Sequence, residues 1–522
     1  MQIQFIKLPN RLDNPGVLMP DLGIGILTAV LRKKKVSVAS LDLKPQFLND
    51  PRLQELRTMP LSRAEDGLAW YVMDIVKTRS LTRAKVLGFS LDEETDLPLN
   101  LELMRLFKKF TGATVILGGS YYFSPMIMKE NDFIDFIIRG DATLSLPLFL
   151  LGKEQKKIPG LIYRKGGGVL SNPYFRQAGN TGIIPDYSDF DMKNYRIGLP
   201  GCKAHVPKEL LKDVLIPGIE TSILPYHFIK GCPNNCNYCF WHREKLFETT
   251  HPEKVADNLQ FLKEKYKADH FIFLNNEFNP SLQYAEKTLS AIKDRRLGIT
   301  WSDSVHPNNL DEDIFRLFSE SGCIQLYFGL ESLSPRALKL INRPSDPSRF
   351  GAFLKASHDN NIFNGVNFLV GVPFEAPEDI RLTVDFIKNN NKYFEFYNIN
   401  LLRIFPELVS IRDPEKIGIK IGTLGSAELR NPKGNSRVYD TLNAVGITKK
   451  ISFYSYDEAG GLNWKEKNRQ DLTHARRLLS ACDEHKKRFF DDTRLICCLL
   501  KSLKTKDLVI KWYKKIKQTK KI

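Results

Sequence analysis

Lys230-Gly231-Cys232-Pro233-Asn234-Asn235-Cys236-Asn237-Tyr238-Cys239-Phe240 places three cysteines in a C-x3-C-x2-C spacing. The apolar pair Phe228-Ile229 precedes this stretch, and proline, glycine and asparagine fill it, so the pattern predicts a loop directly after a β-strand. Three thiolates on one such loop can converge on a single soft metal centre. The sequence therefore predicts that Cys232, Cys236 and Cys239 are metal ligands.

The number of cysteines distinguishes two kinds of metal centre. A 4Fe–4S cluster held by only three cysteines keeps one iron open for a small ligand, whereas structural zinc sites and four-cysteine clusters normally close that position. A zinc site would need a further cysteine or a histidine, and His242 lies near enough in the sequence to keep that alternative open. The other five cysteines are scattered, and we expect them to be ordinary buried thiols.

Length and composition indicate a globular protein of several domains. The chain has 522 residues, of which 42% are hydrophobic and 26% charged, and this length allows two to four domains. We find no long apolar run and no basic segment before an apolar N-terminal stretch, so we expect neither a membrane span nor a secretory signal. Eight cysteines in so long a chain are no disulfide framework and suit a reducing, cytoplasmic location.

Positive charge is concentrated at the C-terminal end of the sequence. The formal net charge is +17, and nine lysines fall within residues 501–522. Such a segment could bind nucleic acid, an acidic peptide or a membrane surface, or it could be the solvated end of a helix. We do not expect a nucleic-acid partner, and the sequence makes no prediction of the oligomeric state.

Residues 1–150 alternate predicted strands and helices, which is typical of a doubly wound parallel sheet. Such sheets bind ligands beyond the carboxyl ends of their strands. Ser90, Gly118, Gly119 and Gly140 follow predicted strands, and the glycines would let the backbone approach a flat ligand closely. We therefore expect a Rossmann-like binding domain in residues 1–150, followed by a linker in residues 151–220.

The alternation resumes in residues 221–406 and predicts a partial (β/α)6 barrel of the TIM type. The predicted strands end at Ile229, Leu274, Trp301, Phe328, Val370 and Ile404. Residues 407–522 are predicted to be a mostly helical extension that selects the substrate or a partner.

Active residues of barrels lie where the strands end, and polar motifs follow three of these predicted strands. The motifs are Leu274-Asn275-Asn276-Glu277, Phe328-Gly329-Leu330-Glu331-Ser332 and Val370-Gly371-Val372-Pro373-Phe374-Glu375. A carboxylate or amide oxygen at such a position suits an ammonium ligand. A simpler interpretation is that the first two motifs are turns and helix caps before Asn279-Pro280 and Ser334-Pro335.

Together, the cysteine loop and these three motifs resemble the radical S-adenosylmethionine (SAM) superfamily. Residues 1–150 resemble the cobalamin-binding domain that precedes many radical SAM barrels. The pieces that carry this second resemblance are Pro20-Asp21-Leu22-Gly23, Gly88-Phe89-Ser90, Leu117-Gly118-Gly119-Ser120 and Arg139-Gly140-Asp141-Ala142-Thr143. The last piece matches the family's Gly-Glu-Gly-Glu-Thr only in part, and a flavodoxin-like domain without a cofactor remains the alternative.

The resemblance implies a set of ligand contacts for each cofactor. Those implied for SAM are Tyr238, Asn275, Asn276, Glu277, Glu331, Ser332 and Gly371. Those implied for cobalamin are Pro9, Asp42, Ser90, Gly118, Gly119, Ser120 and Gly140. No Asp-x-His-x-x-Gly loop occurs, because Asp42-Leu43-Lys44 has no histidine and the first histidine is His205. Phe405-Pro406-Glu407 also stands where the family often has Pro-Gly-Thr.

The same resemblance implies an enzyme with three cofactors: a 4Fe–4S cluster, SAM and cobalamin. An external flavodoxin- or ferredoxin-like donor would supply the electron that cleaves SAM to a 5′-deoxyadenosyl radical. The reaction implied is methylation, with methylcobalamin, of an unactivated carbon in a peptide or small-molecule metabolite. Two alternatives are a cobalamin-dependent cyclisation, rearrangement or oxidation without methyl transfer, and a non-catalytic cobalamin- or metal-binding sensor.

Overall fold

The computed structural model describes residues 2–9, 18–91, 97–119, 125–174, 181–198, 219–239, 247–402, 414–423, 454–482 and 493–519. These residues fold into two units. The first unit comprises those within Met1–Lys203, Gly218–Tyr226 and Leu262–Asp269, and the second comprises those within His227–Phe261 and His270–Ile522.

The first unit contains a seven-stranded sheet. Its strands are β1 (Ile3–Lys7), β2 (Val38–Asp42), β3 (Val86–Leu91), β4 (Thr114–Gly119), β5 (Phe136–Ile138), β6 (Leu161–Lys165) and β7 (Gly168–Ser171). Their order is β2-β1-β3-β4-β5-β6-β7. The first five strands are parallel, and β6 and β7 extend the sheet as an antiparallel hairpin. The predicted doubly wound parallel sheet is therefore confirmed.

Helices connect these strands and supply the core. They are α1 (Leu22–Lys33), α2 (Lys44–Asn49), α3 (Pro51–Thr58), α4 (Leu61–Thr78), α5 (Leu97–Thr111), α6 (Pro125–Glu130) and α7 (Ala142–Leu150). In α4 the buried residues Ala64, Leu68, Val72 and Ile75 recur every three or four positions, as expected for a helix with one face on the core. All five residues of β1 are buried, which is typical of an inner strand in a parallel sheet.

Two further strands of this unit, β8 (Arg196–Gly198) and β9 (Glu220–Tyr226), pair antiparallel.

The second unit contains a half-barrel of parallel strands. Its strands are β12 (His270–Phe273), β13 (Thr300–Val305), β14 (Cys323–Glu331), β15 (Phe363–Val370) and β16 (Phe396–Leu401). The intervening helices are α9 (Leu282–Asp294), α10 (Ile314–Glu320), α11 (Pro335–Leu340), α12 (Phe350–Asp359) and α13 (Pro377–Asn390), and α8 (Pro252–Tyr266) precedes β12. A short antiparallel pair, β10 (Ile229–Lys230) and β11 (Glu248–Thr249), flanks the cysteine loop. The predicted partial barrel is confirmed.

Two predicted strand ends differ from the structure. Trp301 lies near the start of β13 rather than at its end, because the strand continues through Ser302 and Asp303, which are polar but buried. The strand before the cysteine loop, β9, ends at Tyr226, and Ile229 belongs to the separate strand β10. A further predicted strand end, Ile404, lies outside the described residues, and β16 ends at Leu401.

The C-terminal segment is mostly helical, as predicted. It begins with the antiparallel pair β17 (Ile419–Thr423) and β18 (Tyr454–Glu458) and continues as α14 (Trp464–Ala481), α15 (Thr493–Leu503) and α16 (Lys506–Thr519). Lys506, which belongs to the lysine-rich end, is 4% exposed and its Nζ lies 3.3 Å from Oε1 of Glu395. This lysine is therefore part of the folded core. No helix among the described residues combines the length and apolarity needed to cross a membrane.

Candidate active site

The cysteine loop lies at the carboxyl ends of the half-barrel strands and is fixed by its neighbours. Gly231 opens it at φ 79°, a conformation that favours glycine. Further along, the amide of Asn237 donates to the carbonyl of Ile341 at 2.9 Å. The side chain of Asn342 donates to the carbonyl of Asn235 at 2.7 Å. The end of α11 therefore holds the middle of the loop.

The three cysteines are free thiols with different exposure. Cys236 is buried, and Cys232 and Cys239 are partly exposed. Among the described residues no three His, Cys, Asp or Glu side chains already form a metal-binding group. The donor chemistry nevertheless fits a cluster, because three soft thiols lie within eight consecutive residues. His242, which the zinc alternative would use, lies outside the described residues.

Glu277 lies directly against the first cysteine. The Sγ atom of Cys232 donates to Oε1 of Glu277 at 3.4 Å, and Nδ2 of Asn234 donates to Oε2 at 2.9 Å. Burial raises the pKa of Glu277 to about 7, although the donors from Cys232 and Asn234 and the charge of Arg343 oppose this. Burial and the nearby carboxylate of Glu277 raise the pKa of Cys232 to about 12. The motif after β12 therefore places a carboxylate against the cysteine loop.

Arg343 lies against the second cysteine and was not predicted as a site residue. Its Nη1 lies 3.8 Å from Sγ of Cys236 and 3.2 Å from Oη of Tyr238, and its Nη2 donates to the carbonyl of Gly329. A Cβ at Gly329 would lie 2.8 Å from Nη2, so a larger residue there would displace the guanidinium. Arg343 is 8% exposed, and its Nε has no hydrogen-bond partner within the described chain. The geometry therefore provides one buried cation beside the cysteine loop.

Glu331 completes this charged group from the end of β14. Its backbone is left-handed at φ 62°, which is strained for a residue with a side chain. Burial raises the pKa of Glu331, and the charge of Arg343 and a hydrogen bond from Tyr238 oppose that rise. Tyr238, Glu331 and Arg343 thus form one interacting group beside the cysteines.

Asn275 supports the loop through its side chain. Its Oδ1 accepts from the amides of Phe228 and Ile229 at 3.0 and 2.9 Å, and its Nδ2 donates to Asp303 at 2.7 Å. Both polar atoms of the side chain are thereby engaged within the protein. Asn275 fixes the backbone just before the cysteines, whereas Asn276, the next residue of the motif, is partly exposed.

Aromatic packing anchors the same region. Phe278, which follows Glu277, stacks on Trp301 with ring centroids 5.0 Å apart and planes inclined by 13°. Phe228 packs edge-on against Phe278 at 5.7 Å. Because both rings belong to segments that carry site residues, this cluster holds the start of the cysteine loop close to Glu277.

Ser332 and Gly371 lie at the ends of β14 and β15. The Oγ of Ser332 accepts from the amide of Ser334 at 3.1 Å, and Ser334 itself caps α11 by accepting from the amide of Ala337. Gly371 has φ 90°, and a Cβ there would lie 2.7 Å from Oδ2 of Asp471. The C-terminal helix α14 therefore packs directly on the loop that follows β15.

In the first unit, those residues predicted to contact cobalamin that the structure describes lie at or just beyond the carboxyl ends of the parallel strands. A Cβ at Gly119 would lie 1.9 Å from the carbonyl oxygen of Leu91, and one at Gly140 would lie 2.2 Å from the ring of Tyr174. These two glycines are thus required by the protein's own packing. A Cβ at Gly118 would make only an ordinary 3.6 Å contact with the carbonyl oxygen of Ile138, so the packing of the unit does not require glycine there.

Two of the other residues predicted to contact cobalamin accept hydrogen bonds from side chains of the same unit. Oδ2 of Asp42 accepts from Oη of Tyr195 at 2.7 Å, and the carbonyl of Pro9 accepts from Asn100 at 3.1 Å. Ser90 is partly buried, and Ser120 lies outside the described residues. The buried ion pair of Lys7 and Asp21, 3.0 Å apart, also lies at the end of β1 and was not predicted.

A family model identifies the class of this site. Residues 226–387 match the model of the Radical SAM superfamily. The match contains the cysteine loop, Glu277, Glu331, Arg343 and Gly371. The chain therefore contains a radical SAM domain, and such domains use a 4Fe–4S cluster and SAM.

The similarity to relatives and to solved structures extends beyond this domain. An uncharacterized methyltransferase of Pyrococcus horikoshii is 28% identical over 285 residues, which cover 52% of this chain and 57% of the relative. The anaerobic magnesium-protoporphyrin IX monomethyl ester cyclase of Rubrivivax gelatinosus is 23% identical over 295 residues, which cover 53% of this chain and 49% of the relative. The chain thus spans about half the length of these curated relatives.

One solved structure shares the fold over most of the chain. It is the radical SAM methyltransferase TsrM from Kitasatospora setae with cobalamin and a 4Fe–4S cluster bound. The TM-score is 0.58 at 18% identity, and the match covers 82% of this chain and 78% of that one. At this identity the similarity shows the fold, which here includes both the parallel sheet and the half-barrel.

Proposed function

We propose that this protein is a cobalamin-dependent radical SAM methyltransferase. Cys232, Cys236 and Cys239 would hold the 4Fe–4S cluster. The substrate would be a small-molecule metabolite or a peptide that is methylated at an unactivated carbon. An external flavodoxin- or ferredoxin-like protein would donate the electron.

The observation that carries the proposal is the charged group around the cysteine loop. The amino acid end of SAM carries an ammonium and a carboxylate. A carboxylate, Glu277, lies on one side of the loop and a buried guanidinium, Arg343, on the other. Each offers the opposite charge to one of the two SAM groups.

Ligation of iron by Cys232 would strengthen this complementarity at Glu277. The thiol of Cys232 would lose its proton, so Glu277 would lose that donor and become available to an ammonium. At Cys236 the same change would place a thiolate beside Arg343. When bound, the cluster and SAM supply the radical chemistry, and the protein residues bind and orient the cofactors and exclude water.

We assign SAM contacts to Tyr238, Asn276, Glu277, Glu331, Ser332 and Gly371, as the resemblance implies. Asn275, whose polar atoms are engaged with Phe228, Ile229 and Asp303, would act by holding the loop. Cobalamin would lie beyond the carboxyl ends of β1 to β5, where a Cβ at Gly118 would meet no close contact within the protein. The TsrM fold supports this placement, because that protein binds cobalamin.

The central test is anaerobic reconstitution of the full chain with iron, sulfide and cobalamin. The triple variant with Cys232, Cys236 and Cys239 replaced by alanine should lose cluster iron and SAM cleavage. Cys323→Ala, which removes a buried thiol of β14, should retain both. A triple variant that retains a full cluster would refute the assignment.

A second candidate function is a radical cyclisation or oxidation without methyl transfer. It is supported by the 23% identity with the magnesium-protoporphyrin ester cyclase of Rubrivivax gelatinosus. SAM labelled in its methyl group separates the candidates on the same reconstituted protein with candidate substrates. Label in the product supports methylation, 5′-deoxyadenosine with an unlabelled product supports the second candidate, and binding without cleavage supports a sensor.

A further inference from the structure

The loop Gly371–Glu375, which follows β15, is bound by side chains from far along the chain. Oη of Tyr456 donates to the carbonyl of Gly371 at 2.6 Å, and Nζ of Lys467 donates to the carbonyl of Val372 at 3.0 Å. The amide of Phe374 donates to Oε1 of Glu458 at 2.6 Å. Three backbone groups of this short loop thus depend on β18 and α14.

A fourth contact is indirect and involves the carboxylate of Glu375, which belongs to the loop itself. The amide of Gly371 donates to Oε2 of Glu375 at 3.2 Å, and Nδ1 of His474 lies 3.0 Å from the same oxygen. Glu375 and His474 are each about 3% exposed. The imidazole therefore holds the carboxylate that binds the first amide of the loop.

Lys467 is the centre of this arrangement. It is 2% exposed, and its Nζ lies 3.2 Å from Oδ1 of Asp471 and 3.5 Å from Oε1 of Glu458. A buried ammonium is tolerated only when it is paired and hydrogen-bonded. Its bond to the Val372 carbonyl is therefore part of a network in which removing the ammonium would leave the buried carboxylate of Glu458 without this cation.

We propose that Lys467 is a positioning residue for the SAM site, and that residues 454–482 fix the conformation of the Gly371–Glu375 loop and so set the affinity for SAM. This inference rests on the proposed function, in which Gly371 contacts SAM. It gives a role to a segment outside the matched radical SAM domain, which ends at residue 387. Lys467 acts through the loop backbone and does not itself touch the reacting atoms.

The test uses two variants and one control in the reconstituted full chain. Tyr456→Phe removes only the hydroxyl that binds Gly371, and Lys467→Met removes the ammonium. Arg476→Met removes one positive charge from an exposed position of the same helix. Amide hydrogen exchange of the loop, SAM affinity and iron content are measured for each protein.

We expect faster exchange in the loop and weaker SAM binding in both variants, with iron content equal to wild type. The loss of affinity should be on the order of tenfold for Lys467→Met, since a hydrogen bond to a charged group is removed, and smaller for Tyr456→Phe. Arg476→Met should match wild type in all three measurements.

The outcomes separate this inference from the proposed function. If the wild type binds neither a cluster nor SAM, the proposed function fails. If the wild type binds SAM and the variants exchange faster but bind SAM as tightly, the positioning role is overturned and the network serves stability alone. Should Lys467→Met fail to fold, Tyr456→Phe decides, because it preserves the buried ring and every charge.

Discussion

Cys232 and Glu277 share a hydrogen bond in which Sγ donates to Oε1 across 3.4 Å. The bond requires a protonated thiol, whereas a cysteine that ligates iron is a thiolate. Ligation of iron by Cys232 would therefore break this bond and leave Glu277 beside a negative charge. A cationic partner would then stabilise the carboxylate, and the ammonium of SAM is such a partner.

Glu277→Gln preserves the size of the side chain and removes its charge. We expect SAM affinity to fall by about tenfold or more, because a hydrogen bond to a charged group contributes roughly 1.5–3 kcal/mol. Iron content should stay at the wild-type level. Equilibrium binding of SAM to the reconstituted protein measures this, with the exposed Glu286→Gln as the control. Unchanged affinity would exclude Glu277 from the SAM site.

Arg343→Met should lower the reduction potential of the cluster. The buried cation near Cys236 favours the more negative, reduced state, so its removal disfavours reduction. We expect a fall on the order of 60 mV, equivalent to about 1.4 kcal/mol in a one-electron couple. Redox titration followed by electron paramagnetic resonance measures the potential. Arg343→Lys should restore part of the change, and the exposed Arg316→Met should show none; an unaltered potential in Arg343→Met would argue against the charge effect.

Cobalamin bound to this protein should lack a histidine ligand from the first 150 residues, because the first histidine in the chain is His205. The Co(II) form should therefore give a base-off spectrum without nitrogen coupling from a protein imidazole. Electron paramagnetic resonance and the cobalt content of the reconstituted protein test this together. Nitrogen coupling from a histidine would contradict the proposed domain arrangement, and absence of stoichiometric cobalt would favour a cobalamin-free enzyme.

Gly118→Trp should reduce cobalamin binding and leave the cluster in place. Position 118 accepts a Cβ without a close contact, whereas a side chain at Gly119 would collide with the backbone of Leu91. Gly119→Trp would therefore disturb the sheet and could not report on the ligand. Gly168→Trp, at the exposed first residue of β7, is the control of equal bulk. Cobalt and iron contents are compared, and full cobalt in Gly118→Trp would place cobalamin elsewhere.

Asp471→Asn should stabilise the protein at high pH. Burial raises the pKa of Asp471 from 3.8 to about 7, against the opposing charge of Lys467. A carboxyl with a raised pKa stabilises the fold while protonated, and this contribution is lost as the pH rises through about 7. The variant should therefore exceed wild type in apparent Tm by about 3 °C or more at about pH 8, with a smaller difference near about pH 5.5. The exposed Asp294→Asn should show no such trend, and a variant less stable than wild type at both values would contradict the prediction.

Much of the fold and the centre of the site could be predicted from contiguous residues. The cysteine spacing, the strand–helix alternation and the motifs that contain Glu277, Glu331 and Gly371 are local patterns. Such patterns can be recognised from neighbouring residues without knowledge of the tertiary structure. The helix Leu61–Thr78 was not predicted, although Ala64, Leu68, Val72 and Ile75 recur at helical spacing. Its periodicity was present in the sequence and was missed.

Other functional features were decided by tertiary structure alone. Arg343 lies 107 residues after Cys236 and belongs to no recognisable motif, yet its guanidinium is 3.8 Å from that thiol. Asp471 follows Lys467 by four residues and His474 follows Asp471 by three, which places the three side chains on one helical face. A charged face normally predicts contact with solvent. Here that face is buried against the Gly371 loop. Sequence periodicity determines which residues share a face, but only the packing of distant segments determines what covers it.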